Sequence, residues 1–273
     1  MAKIDRLGWA DGLSFTSYGV RLGVRVNDPA ILKDVIARLP PGSKPAAYAV
    51  VDHLYSIIGS RAKPDSRVRR LSLGYWNLIR FGRAREFSGV LDPFESHVQL
   101  TVAEYAPRRV FVHAGVVGWK DRAIVIPGLS HSGKTTLVDQ LIRAGATYYS
   151  DEYAVLDGRG LVHPYARALG LRMPNSNQSK KVRAEEIGAA VGSKPLRVGL
   201  VVSTNYKAGA RWQPRPVTRG KGVLELLSNT VSARSQPEMA LRILPAALAS
   251  ARILKGVRGE AGEIVESILE SVE

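Results

Sequence analysis

From Gly128 to Thr135 the chain reads Gly-Leu-Ser-His-Ser-Gly-Lys-Thr, a full match to the G-x-x-x-x-G-K-[ST] phosphate-binding loop. Glycines at both ends let the backbone wrap so that successive N–H groups point inward, and a helix opening at Lys134 adds its positive N-terminal end. In such a loop Gly128, Leu129, Ser130, His131, Ser132 and Gly133 surround the phosphates. Lys134 reaches the β and γ oxygens, and Thr135, followed by Thr136, offers a hydroxyl to Mg²⁺. An apolar run, Ala123 to Ile126, leads in, while Leu137, Val138, Leu141 and Ile142 lead out at helical spacing. A structural turn rich in Gly and Ser is the alternative reading.

Seventeen residues after Lys134 stand Asp151 and Glu152. Mg²⁺ takes one or two carboxylates beside phosphates, and transfer of a phosphoryl group to a hydroxyl gains from a carboxylate that accepts its proton. Two adjacent acids serve both needs if one turns to the metal and the other to the acceptor; a surface acid pair in a turn is the competing reading. Tyr148, Tyr149, Ala154 and Val155 around them argue for burial. His113 lies in the apolar segment before the loop, and it reads either as a core histidine or as a group near the phosphates.

These groups need elements to hold them. Val110 to Val117 and Ala123 to Ile126 are β-branched runs separated by Gly118-Trp119-Lys120-Asp121, which predicts a hairpin-like pair of buried strands. A helix is expected from Lys134 to Arg143 with Gly145 capping it. Further strands are expected over Tyr148 to Leu156, Leu161 to Pro164 and Leu196 to Ser203, and helices over Lys221 to Val231, Glu238 to Lys255 and Glu260 to Val272. Residues 1–105 read as a smaller α/β unit: Tyr18 to Val26 alternates like a strand, and Asp28-Pro29 opens a helix running to Pro40-Pro41. Ala47 to Ile58 and Val98 to Tyr105 are apolar segments of either type. The chain is thus expected to pair residues 1–105 with a sheet-centred α/β domain over 106–273.

Composition narrows the chemistry. The 273 residues are 45% hydrophobic and 23% charged, which fits a globular chain and excludes collagen and coiled coil. No cysteine is present, so disulfides, thiolate zinc, iron–sulfur clusters and thiol nucleophiles are excluded. No apolar stretch reaches membrane-spanning length and the start is charged, so a cytoplasmic protein is expected. The net charge is +15, a field that attracts anions of any kind. It is uneven: thirteen basic residues between Arg159 and Lys221 face only Glu185 and Glu186, and eight between Arg61 and Arg85 face only Asp65. Nucleotide switches and motors are disfavoured by what is missing. There is no N-K-x-D or D-x-x-G, no L-S-G-G-Q, and no long apolar run before Asp151.

The succession His113-Ala114-Gly115-Val116-Val117, Ala123 to Gly128, the loop, a short helix, Ala144-Gly145-Ala146 and Ser150-Asp151-Glu152 resembles the HPr kinase/phosphorylase family. The resemblance is specific over about Val110 to Pro164. It implies a P-loop sheet domain related to the nucleotide-binding core of phosphoenolpyruvate carboxykinase, carrying the smaller N-terminal unit. It further implies an ATP- and Mg-dependent kinase acting on a Ser or Thr hydroxyl of a protein or peptide. Carried over, Lys134 and Thr135 hold the phosphates and Mg²⁺, Asp151 is the catalytic base, Glu152 is a metal carboxylate, and His113 lies beside the transferring phosphate. The loop departs from the family in ending Lys134-Thr135-Thr136 where Lys-Ser-Glu is usual, and the second acid is Glu instead of Asp. Arg167-Ala168-Leu169-Gly170-Leu171-Arg172 matches the family's downstream signature in part. An acidic acceptor fits the basic stretches and nucleic acid is disfavoured as a partner; homo-oligomers are compatible. The rival classes are an ATP-binding regulatory module without transfer and a nucleic-acid-associated ATPase.

Overall fold

The computed structural model describes residues 3–59, 71–128, 132–172 and 179–272. The chain is a mixed α/β protein of two compact units, Met1–Pro107 and Arg108–Glu273. Among the described residues no helix is long and apolar enough to cross a membrane.

In the first unit β1 (Asp11–Ser17) and β2 (Val20–Val26) form a hairpin, α1 (Leu32–Ile36) follows, and β3 (Lys44–Ala46), β4 (His53–Ile58), β5 (Ser72–Trp76) and β6 (Ile79–Ala84) complete a sheet of order β3-β1-β2-β4-β5-β6. Helix α2 (Ser88–Tyr105) buries Val90, Phe94, Val98 and Val102. The two apolar segments of open type thus resolve oppositely, one into β4 and the other into the last turns of α2. The helix expected from Asp28-Pro29 is shorter. Asp28 accepts the Ala30 N–H at 2.9 Å over a 3-10 turn, and α1 ends at Ile36. Strand β1 carries only Leu13 and Phe15 as apolar residues on its inward face, which Ser17 completes, too few to mark a strand in sequence.

The second unit begins with β7 (Val110–Trp119) and β8 (Arg122–Pro127), an antiparallel hairpin. Lys120 and Asp121 both take positive φ, 47° and 56°, the two-residue turn whose twist suits paired strands. Then come α3 (Lys134–Arg143), β9 (Thr147–Ser150), β10 (Tyr153–Leu156), β11 (Leu161–His163), the separate hairpin of β12 (Leu169–Arg172) and β13 (Ser179–Val182), and β14 (Leu196–Tyr206). The chain closes with β15 (Arg215–Pro216), α4 (Arg219–Ser228), α5 (Pro237–Ala247), β16 (Arg252–Arg258) and α6 (Val265–Glu270). The main sheet runs β11-β10-β7-β8-β14-β16-β15, with β9 also on β7. Strands β8, β14 and β16 are mutually parallel, so their carboxyl ends share one edge. On one face Leu137, Val138 and Leu141 of α3 pack with Ile124, Ile126, Val202 and Leu254. On the other, Leu226 of α4 and Ile243 and Leu244 of α5 pack with Val125, Val201 and Ile253.

Two sequence expectations are corrected. The helix expected over Glu238 to Lys255 stops at Ala247, and residues 252–258 are a strand whose Ile253 and Leu254 enter opposite cores. A short apolar run buried on both faces has no period to separate strand from helix. The strand expected over Tyr148 to Leu156 is two strands, both paired to β7, interrupted at Asp151-Glu152. There the Ser150 Oγ accepts the N–H of Glu152 at 3.1 Å and of Tyr153 at 2.9 Å, replacing ladder bonds.

Candidate active site

The parallel strands deliver their ends to the edge where α3 begins. Gly128 leaves β8 with its N–H donating to the His113 carbonyl at 3.1 Å, which ties the loop's entrance to β7. A side chain on Gly128 would come within 2.7 Å of the Ser132 Oγ. That hydroxyl is itself buried with no hydrogen-bond partner among the described residues. Gly133 takes φ 83° at the N-cap of α3, a conformation that favours glycine, and no side chain caps the helix. Gly133 itself brings no side-chain cap to the first turn of α3, and helix N-termini are places that receive anions. Gly115 makes the close packing possible, since a Cβ there would lie 2.6 Å from Val138 of α3. Leu129, Ser130 and His131 of the expected loop lie outside the described residues.

The helix's first turn meets the acids. Thr135 Oγ1 donates to Asp151 Oδ2 at 3.2 Å. The Tyr148 hydroxyl lies 3.0 Å from Asp151 Oδ1 and 3.0 Å from the Arg167 carbonyl. Asp151 is 8% exposed, and that burial raises its pKa above the ordinary carboxylate value against the pull of Tyr148, Arg167 and Thr135. Lys134 is half-buried, and desolvation lowers its pKa while Glu152 and Asp151 oppose the shift. Glu152 projects further into solvent, with Oε2 3.9 Å from Arg167 Nη1 and Oε1 3.8 Å from His113 Nδ1. Burial first, then the Lys134 charge, lowers the His113 pKa, so the ring facing Glu152 is neutral at pH 7.

The structure thus brings together Gly128, Ser132, Gly133, Lys134, Thr135, Asp151, Glu152 and His113. Thr136 is exposed on the same turn. Strand β7 runs antiparallel to β8, so His113 reaches the loop because the beginning of β7 lies beside the end of β8. Three neighbours escaped the sequence reading. In sequence Tyr148 signals only burial, and Arg167 only part of a partial signature. Arg258 falls in the stretch left without an assigned element between the helices expected over Glu238 to Lys255 and Glu260 to Val272, yet its Nη2 donates to the Gly133 carbonyl at 3.1 Å.

Chemically the site sets cations and a helix N-terminus against a hydroxyl and two carboxylates. Those hard oxygen donors suit a divalent cation that keeps waters and phosphate oxygens in its remaining positions. Among the described residues no group of three or more His, Cys, Asp or Glu side chains forms a metal cage of its own. Comparison with known proteins finds no matching family model and no matching curated protein. Among solved structures the chain is similar to the Hpr(Ser) kinase/phosphatase from Coxiella burnetii, at 13% identity and a TM-score of 0.33, over 59% of this chain and 93% of that one. This is a distant likeness, and the chemistry is read from this chain's own residues.

Proposed function

We propose that the chain is an ATP- and Mg-dependent kinase that transfers the γ-phosphate to a Ser or Thr hydroxyl of a protein or peptide. The observation that carries the reading is the Thr135–Asp151 contact at the start of α3, which puts a metal-type hydroxyl, a buried carboxylate and Lys134 around one helix N-terminus. Lys134 and the α3 amides hold the β and γ oxygens. Thr135 and Glu152 would hold Mg²⁺, which when bound would supply positive charge beside the phosphates. Asp151 takes the proton of the acceptor hydroxyl, a task suited to a carboxylate whose pKa burial has raised. His113, kept neutral, contributes a hydrogen bond beside the transferring group without adding charge.

One observation favours exchanging the two acids. Both Asp151 oxygens already face hydroxyls, one of them Thr135, whereas Glu152 is the more open to an incoming acceptor. In that reading Asp151 stands on the metal side and Glu152 is the base. Asp151→Asn and Glu152→Gln separate the two: the metal-side variant recovers transfer as Mg²⁺ is raised, and the base variant does not.

The experiment that tests the function is incubation of the protein with γ-labelled ATP and lysate of its own organism. A labelled protein or peptide band that disappears with Lys134→Ala is expected. Mg-ATP binding with no labelled acceptor favours a regulatory module, and DNA-stimulated hydrolysis favours the nucleic-acid ATPase. Absence of Mg-ATP binding removes all three.

A further inference from the structure

Arg258 ends β16 with 3% of its surface exposed. A fully buried arginine carries a desolvation cost that has to be met by hydrogen bonds and charge. Its Nη1 donates to the Gly259 carbonyl at 3.0 Å and its Nη2 to the Gly133 carbonyl at 3.1 Å, across 125 residues of sequence. The guanidinium also lies 5.5 Å from the centroid of the Tyr206 ring, at the end of the adjacent β14. Tyr206 in turn donates its hydroxyl to Glu260 at 2.9 Å. The contact with Gly133 is close: a side chain on Gly133 would collide with Nη2. Arg258 Nε has no hydrogen-bond partner among the described residues.

We infer that Arg258 is a positioning residue for the phosphate loop, fixing the Gly133 peptide from the neighbouring strand so that the first turn of α3 is held ready for the phosphates of a nucleoside triphosphate. This rests on the kinase reading for the identity of the ligand, though not for the contact itself. The Gly133 carbonyl also accepts the N–H of Leu137 at 3.2 Å, the first backbone bond of α3. Holding that carbonyl therefore fixes where the helix starts, and with it the directions of the first-turn N–H groups. A second consequence is electrostatic. The guanidinium adds a third cation to Lys134 and Arg167 at an end of the helix that is already positive, a concentration of charge that a polyanion relieves.

Position and charge are separable, because lysine keeps the charge while lacking the planar fork that reaches two carbonyls at once. Arg258→Lys and Arg258→Met, compared with the wild type by calorimetry using Mg-ATP, are both expected to weaken binding by about tenfold or more, the scale of losing one charged hydrogen bond. The KM for ATP should rise more than kcat falls. Hydrogen exchange read without nucleotide over residues 132–140 should be faster in both variants, with residues 122–127 unchanged. Wild-type affinity in Arg258→Lys would show that charge alone matters and overturn the positioning role. Unchanged exchange at the start of α3 in Arg258→Lys, which keeps the buried cation if Arg258→Met fails to fold, would overturn it as well. If the wild-type protein does not bind Mg-ATP, the kinase reading fails, while the exchange comparison still decides whether Arg258 holds the loop.

Discussion

Thr135 Oγ1 stands 3.2 Å from Asp151 Oδ2, joining the first turn of α3 to the break between β9 and β10. Each partner is placed by a residue close to it in sequence. The helix is aimed by Gly133 and the close approach at Gly115, while the acid is turned inward because Ser150 takes over the backbone N–H groups that the interrupted strand leaves unpaired.

Lys134 is the compact charge nearest the expected phosphates. Lys134→Ala should reduce transfer by at least about 10²-fold, the scale of removing one preorganised charge stabiliser. It should also abolish most of the rise in thermal midpoint that Mg-ATP gives the wild type. An undiminished rise removes the phosphate-loop assignment.

If Asp151 is the base, Asp151→Asn should lower transfer by roughly 10² to 10⁴ with Mg-ATP affinity largely kept. Tyr148→Phe offers a finer check. The Tyr148 hydroxyl holds the Asp151 pKa down against burial, so losing it should move the acid limb of the pH–rate profile to higher pH. A limb that stays in place means that Asp151 is not the group that titrates in the reaction.

The same carboxylate makes a claim about stability. Burial raises the Asp151 pKa in the folded protein above its unfolded value, so the folded state binds the proton more tightly. Asp151 then costs stability as pH rises from the unfolded value through the folded one. Asp151→Asn should accordingly raise the nucleotide-free thermal midpoint at pH 7, with the gain shrinking as pH falls toward about 4, near the unfolded aspartate pKa, and gone below it. Equal midpoints for the two proteins at both pH values would contradict a costly buried charge.

Gly115→Val tests the seat of the helix. The new side chain meets Val138, and overpacking of this kind typically costs about 1–3 kcal/mol. Chemical denaturation should show that loss, and Mg-ATP affinity should fall with it because the first turn of α3 is displaced. Full affinity in a destabilised variant would mean that the loop's position is independent of Gly115.

Arg211 and Arg215 are exposed in the segment following β14. For an acidic acceptor its KM should rise steeply with salt, as the Debye length falls from about 10 Å at 0.1 M to about 3 Å at 1 M. The KM for ATP should rise modestly. Charge reversal at either arginine should affect the acceptor alone; tight DNA binding at physiological salt with stimulated ATP hydrolysis points to the rival ATPase.

Much of the site's local architecture was legible in sequence. The β7–β8 hairpin, α3 and its Gly145 terminus follow from β-branched runs, turn residues and helical spacing between Val110 and Gly145. What escaped depends on distant partners. Arg258 lies just beyond a helix expected as far as Lys255 because an alanine- and leucine-rich stretch precedes Arg252-Ile253-Leu254-Lys255, and only pairing with β14 makes residues 252–258 a strand. The break at Asp151-Glu152 escaped because Ser150, Tyr153 and Ala154 fit a continuous strand, and the hydrogen bonds that interrupt it come from one serine hydroxyl. The N-terminal unit was read least well, since its β1 is rich in small hydroxyl residues and its β4 and α2 segments carry similar apolar content.

The parallel pairings that align the carboxyl ends of β8, β14 and β16 have a consequence for the order in which the protein matures. Val125 pairs with Val201, and Arg258 with Tyr206, so the edge beneath the loop joins segments roughly fifty to seventy-five residues apart. The β7–β8 hairpin and α3 are built from near neighbours and pay little loop-closure entropy, whereas the parallel additions pay much more and form slowly. During refolding the Gly-Lys-Thr turn is therefore expected to form before β16 delivers Arg258 to it. On the kinase reading, affinity for nucleotide is expected to emerge in a late kinetic phase, after most of the secondary structure has returned, and a chain released before β16 docks would carry the complete loop sequence without a finished site.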